Sequence, residues 1–135
     1  MALTQIVNDG LGASLTATSE GGAVTTSIQQ GIAKSWCHID GEGTPVISGS
    51  GSFNVSSLGD LATGLVSANF TNNMADDDFA HSFTPRDESF IALMQELHTS
   101  TIRNTSRCVA LCHSDATTAH ADCDARSYTI HGDLA

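Results

Sequence analysis

Three short runs in this chain alternate apolar and polar residues with a period of two, and that spacing constrains the fold more than any other feature. Ser52 to Ser57 puts Phe53, Val55 and Ser57 on one side, with Ser52, Asn54 and Ser56 on the other. Leu65 to Thr71 groups Val66, Ala68 and Phe70, and Asp78 to Thr84 groups Phe79, His81 and Phe83. A strand points successive side chains to opposite faces, so each run reads as a half-buried β-strand. The material around them fits: 16 Ser, 15 Thr and 12 Gly make up 43 of the 135 residues, whereas Lys, Glu and Leu are scarce. β-branched Thr and turn-forming Gly suit short strands joined closely, and the shortage of helix formers argues against a bundle. The expectation is an all-β chain.

Further strands follow the same logic. Around Trp36, residues Ile32, Lys34, Trp36 and His38 share one face and Ala33, Ser35, Cys37 and Ile39 the other. Apolar residues on both sides predict a strand covered on both faces, with Trp36, the single Trp, in the core. Thr99 to Arg103, Arg107 to His113 and Arg126 to His131 complete the set. Pro85 is expected to close its strand, because it cannot donate to a ladder. Candidate exposed loops are Asp40 to Thr44, Leu58 to Gly64, Asn72 to Asp78 and Ser114 to Asp124. Residues 87 to 98 read two ways. Phe90, Leu93, Met94 and Leu97 form a helical stripe at i, i+3, i+4 and i+7, yet the surroundings favour a strand. Seven or eight closely spaced elements predict a β-sandwich or jelly roll spanning residues 31 to 135.

Residues 1 to 30 differ. They contain no aromatic and no basic residue, and Gly10, Gly12, Gly21 and Gly22 interrupt them. Such a segment buries little apolar surface alone, so it reads as an extended N-terminal arm that orders against a neighbouring surface. The length of 135 residues otherwise suits one domain with its own core.

Charge excludes several partner classes. Fifteen acidic residues against five basic ones give a formal charge of -10. This field repels phosphate, so no nucleic acid and no anionic membrane is expected as partner. The opening residues lack a basic, apolar leader, and no run reaches the length of a membrane span. Synthesis in a reducing cytoplasm is expected, with Cys37, Cys108, Cys112 and Cys123 as free, small packing residues.

Several segments carry a more specific signal. Gly31-Ile32-Ala33-Lys34-Ser35-Trp36 is followed by Asp40-Gly41-Glu42-Gly43-Thr44 and by Ser52-Phe53-Asn54-Val55-Ser56-Ser57. Phe70-Thr71-Asn72-Asn73-Met74-Ala75-Asp76-Asp77-Asp78-Phe79-Ala80 comes next, and the chain ends Ile130-His131-Gly132-Asp133-Leu134-Ala135. Together these resemble a module of tail-fibre-like virion proteins of tailed bacteriophages, over residues 28 to 84 and the last six. The resemblance implies a β-rich virion surface protein, a homotrimer, without enzyme activity. It also implies attachment to other virion proteins through the arm and exposed loops that meet a host cell-surface glycan. Family members carry the module behind a longer shaft, whereas about 30 residues precede it here. A short β domain with an arm also suits a capsid decoration protein, and a free-standing carbohydrate-binding module is the third reading.

Cys108-x-x-x-Cys112-His113 and His120-x-x-Cys123, with Cys37-His38 elsewhere, supply zinc-type ligands. On one strand, however, Cys108 and Cys112 lie about 13 Å apart at roughly 3.3 Å per residue, too far for one ion. Cys108, Ala110 and Cys112 therefore read as a packing row. Asp76-Asp77-Asp78 lacks the spacing of a helix-loop-helix calcium site and reads as a solvated turn. No pair of carboxylates or nucleophile motif marks a hydrolase. His81 beside Phe79 and Phe83, and His38 beside Trp36, read as buried or interface histidines. The expectation is no enzyme, no cofactor, and no catalytic or metal-binding residue.

Overall fold

The computed structural model describes residues 16–18, 25–27, 31–89, 92–96, 103–115 and 119–135. Every element among them is a β-strand: β1 (Thr16–Thr18), β2 (Thr25–Ser27), β3 (Ser35–Asp40), β4 (Val46–Phe53), β5 (Val55–Ala62), β6 (Leu65–Phe70), β7 (Ala80–Arg86), β8 (Ala92–Glu96), β9 (Arg107–Ser114) and β10 (Ala125–His131). The chain divides into two compact units, residues 1–32 and 33–135. In the first, β1 and β2 pair antiparallel, Thr16 opposite Ser27 and Thr18 opposite Thr25.

The second unit holds two four-stranded antiparallel sheets, in the orders β4-β3-β10-β7 and β5-β6-β9-β8. β7 neighbours β8, and β10 lies beside β7, which gives the Greek-key order β10-β7-β8-β9. Both sheets contribute to one core. Cys37 and Ile39 of β3, Tyr128 and Ile130 of β10, Val66, Ala68 and Phe70 of β6, and Cys108 of β9 pack together with Met74 and Phe79. Phe70 and Phe79 meet edge to face, with centroids 5.8 Å apart, an arrangement that adds to their area burial. The architecture is thus sandwich-like and all-β, as the alternation predicts.

The crossing between sheets is made at one residue. Asn54 adopts φ 57°, a left-handed conformation that Asn tolerates better than most residues. Its Nδ2 donates to the carbonyls of Lys34 and Asn72, both at 3.0 Å, and its Oδ1 accepts from the Asn72 amide at 2.7 Å. β4 therefore ends in one sheet and β5 begins in the other. This corrects the alternation read through Ser52 to Ser57: Phe53 is exposed at 52% and Val55 packs against the core.

Other expectations are corrected too. Leu58 to Gly64 is not a loop, because β5 runs to Ala62 and turns on Thr63-Gly64, with Gly64 at φ 72°. The polar surface of β5 concealed its length. Pro85 lies inside β7, not beyond it, and β7 is an edge strand, where a missing donor leaves no partner unsatisfied. Residues 92 to 96 form a strand, so the helical stripe yields to pairing with β9; Phe90 and Leu97 lie outside the described residues. The strand expected over Thr99 to Arg103 also falls outside them, except for Arg103, whose guanidinium stacks 4.2 Å above the Phe79 ring. Asn72 to Asp78 is exposed as expected except at Met74, which is 1% exposed and bridges to Leu134.

Candidate functional site on the outer face of β3 and β4

β3 reads Ser-Trp-Cys-His-Ile-Asp and is buried at every other position. Ser35, Cys37 and Ile39 face inward, which leaves Trp36, His38 and Asp40 on the outer face. Trp36 is 40% exposed. This overturns two expectations, that β3 is covered on both sides and that Trp36 belongs to the core. The physical reason lies in the inward row. Cys37 and Ile39 already fill the space against β6 and β9, and Ser35 spans to Tyr128 by a 3.2 Å hydroxyl contact.

Trp36 is directly opposite Phe53 of β4 on one side and Thr129 of β10 on the other, and Thr129 is opposite Ser82 of β7. A row of Phe53, Trp36, Thr129 and Ser82 therefore crosses the sheet. The next row contains His38, Ser127 and Thr84, and His38 Nδ1 lies 2.8 Å from Ser127 Oγ. A register shift in the β3-β4 ladder after Cys37 sets this row apart from β4. The face combines two exposed aromatic rings at one side with a strip of hydroxyls beside them. Directly opposed side chains project to the same face of a sheet, so Trp36 and Phe53 share the outer face of β3 and β4.

The remaining residues singled out in the sequence fall elsewhere. Asp76, Asp77 and Asp78 are exposed, and Asp76 Oδ1 accepts from the Asp78 amide at 3.0 Å, a local turn. Among the described residues no group of three His, Cys, Asp or Glu converges as a metal-binding set. Cys37 and Cys108 lie in the central core, and burial pushes the Cys37 thiol up to about 11. Cys112 is buried on β9 and Cys123 just before β10, where its Sγ donates to the Ala125 carbonyl at 3.6 Å, and His113 meets His120 edge to face with centroids 4.9 Å apart. His81 is half-buried against Phe83, 4.6 Å between ring centroids.

Two features escaped the sequence reading. Arg126 is 1% exposed, inward-facing on β10 with Tyr128 and Ile130; that parity was the available signal. Glu42 lies beyond β3, where its carboxyl is close enough to Asp124 to share a proton with it. That contact, with the charges of Asp124, Asp40 and Asp87, raises the proton affinity of its carboxyl. Compared with family models, with curated proteins and with solved structures, the chain matches none of them.

Proposed function

We propose that this chain is a non-catalytic structural protein of a tailed-phage virion, tail-fibre-like and adhesive, whose outer β3-β4 face contacts a host cell-surface glycan. The observation that carries the reading is the exposed cross-strand pair of Trp36 and Phe53 beside the hydroxyls of Thr129, Ser127 and Ser82. A pyranose offers a flat C–H face for an aromatic ring and hydroxyls for polar neighbours, which is how mostly apolar sites with a few polar groups orient a ligand. The charge of -10 favours a neutral glycan over an anionic one. The sequence resemblance to tail-fibre-like modules supports the virion setting. In this reading residues 1 to 30 are the arm that attaches to other virion proteins, and the chain works as a homotrimer, which supplies several glycan contacts at once.

The test has two arms. Labelled antibody on intact particles should mark the tail; a signal over the head would favour a decoration protein, and no signal on particles would leave a free carbohydrate-binding module. Binding of the purified chain to host cells or neutral glycans should be lost in Trp36→Ala and Phe53→Ala with the fold retained by circular dichroism. Undiminished binding by both variants would refute the aromatic face. A monomer in sedimentation at micromolar concentration would refute the trimer.

A further inference from the structure

His113, near the end of β9, and His120 form an antiparallel bridge across the segment that leads to β10. The lane beside β9 changes occupant here. β6 begins at Leu65, opposite Leu111, and before it the chain turns at Gly64, whose carbonyl accepts from the Cys112 amide at 2.9 Å. Past that turn, residues 119–121 run beside β9 in place of β6. The Ser114 amide donates to the Ala119 carbonyl at 3.1 Å, and the Ala121 amide donates to the Cys112 carbonyl at 3.2 Å. These bonds flank the two histidines and leave them a pair without ladder bonds of its own. That is the closer kind of antiparallel pair, with Cα atoms about 4.5 Å apart and side chains on one face.

The rings meet accordingly, with centroids 4.9 Å apart and planes at 78°. His113 is half-buried and His120 is exposed, so the pair is open to solvent. Cys108, Ala110 and Cys112 share the inward face of β9, so alternation turns His113 outward and keeps the Cys112 thiol on the other side of the sheet. On β8, the residue opposite His113 is Leu93, an apolar neighbour. Neutral imidazole is a ligand for zinc, nickel and copper. An ion about 2.1 Å from a ring nitrogen lies roughly 3.2 Å from that ring's centre, so two rings on one tetrahedral ion have centroids about 5 Å apart. The separation of His113 and His120 fits that span. The charge of -10 draws cations toward the chain.

We propose that His113 and His120 are a two-ligand binding site for a divalent transition-metal ion of the zinc class, with water in its remaining positions. Such an ion ties residue 120 to β9 and fastens the base of the connection between them. Calcium and magnesium take oxygen ligands and are not bound by an imidazole pair. The pair belongs to the sheet of β9, not to that of Trp36 and Phe53, so the proposal is independent of the glycan reading.

The experiment titrates zinc into the untagged full chain, first stripped with a chelator, by calorimetry. One zinc per chain should bind at micromolar concentration, and calcium should give no heat. His113→Gln and His120→Gln should each weaken zinc binding at least about tenfold, the loss that even an outer partner of a metal site causes. His38→Gln should bind zinc undiminished. Cobalt in place of zinc should bind without the near-ultraviolet band of a cobalt–thiolate bond, which separates this pair from the four cysteines. Circular dichroism checks that the variants fold. If one does not, the unsubstituted chain decides: of its six histidines, only His113 and His120 should show shifted imidazole signals as zinc is added. Binding at millimolar zinc only, a thiolate band, undiminished affinity in either variant, or shifts at other histidines would overturn the proposal.

Discussion

β3 and β9 are both central strands with a neighbour on each side, yet they are buried in opposite styles. β3 alternates, burying Ser35, Cys37 and Ile39 and exposing Trp36, His38 and Asp40. β9 buries five residues in succession, Cys108, Val109, Ala110, Leu111 and Cys112, each with at most 7% exposure. The difference follows from the side chains available. A continuous run of small apolar residues suits a strand covered on both faces, whereas His38 and Asp40 need water on one of theirs. Residue size misleads here: Trp36, the largest apolar side chain, lies outside, while cysteine, alanine and valine share the core with Phe70, Phe79, Met74 and Tyr128.

The largest effect should come from the outward side of β9. Leu111 is 1% exposed, so Leu111→Ala should cost about 3 kcal/mol in urea unfolding. A loss below about 1 kcal/mol would mean that this face of β9 is open and the contrast with β3 is false. Next comes the turn that caps β9. Gly64 sits at φ 72°, its carbonyl accepts from the Cys112 amide at 2.9 Å, and a Cβ there would lie 2.7 Å from the Cys112 carbonyl oxygen. Gly64→Ala should therefore cost roughly 2 kcal/mol or more, from left-handed strain and backbone collision together. Trp36→Ala should cost under about 1 kcal/mol, as a surface substitution does, against the 3–5 kcal/mol typical of a buried Trp. Urea midpoints of the three variants, measured side by side, give the ranking directly.

The smallest effect concerns the loop after β3. Glu42 binds its proton more tightly folded than unfolded, owing to the proton it can share with Asp124 and the nearby charges of Asp124, Asp40 and Asp87. Its ionisation therefore disfavours the fold: the penalty is absent below the ordinary 4.5 of such a group and grows as pH rises from there through the raised folded value. Glu42→Gln should raise the melting temperature at about pH 7, leave it unchanged at about pH 3, and lose its advantage in high salt. An equal shift at both pH values would remove acidic crowding as the cause.

Strand periodicity was legible wherever one residue type dominated each face. Val66, Ala68 and Phe70 of β6, Phe79 and Phe83 around β7, and the Cys108-Ala110-Cys112 row of β9 all lie where alternation puts them. Alternation failed at Asn54 because a single left-handed residue changes sheets without disturbing the sequence pattern. It failed at Leu58 to Gly64 because a polar strand and a polar loop have the same composition. The aromatic face was invisible for a related reason: which side of β3 faces inward depends on what β6 and β9 bring to meet it. The run of residues 119–121 along β9, where the Ala121 amide donates to the Cys112 carbonyl, is likewise encoded by no local spacing.

The most direct measurement uses Trp36 as its own reporter, since it is the only Trp in the chain. Acrylamide quenching of the folded, dilute protein should approach that of the urea-unfolded chain, with emission at similarly long wavelength. Emission shifted to short wavelength and protected from acrylamide would place Trp36 inside, and the outer face of β3 would no longer stand as a binding surface.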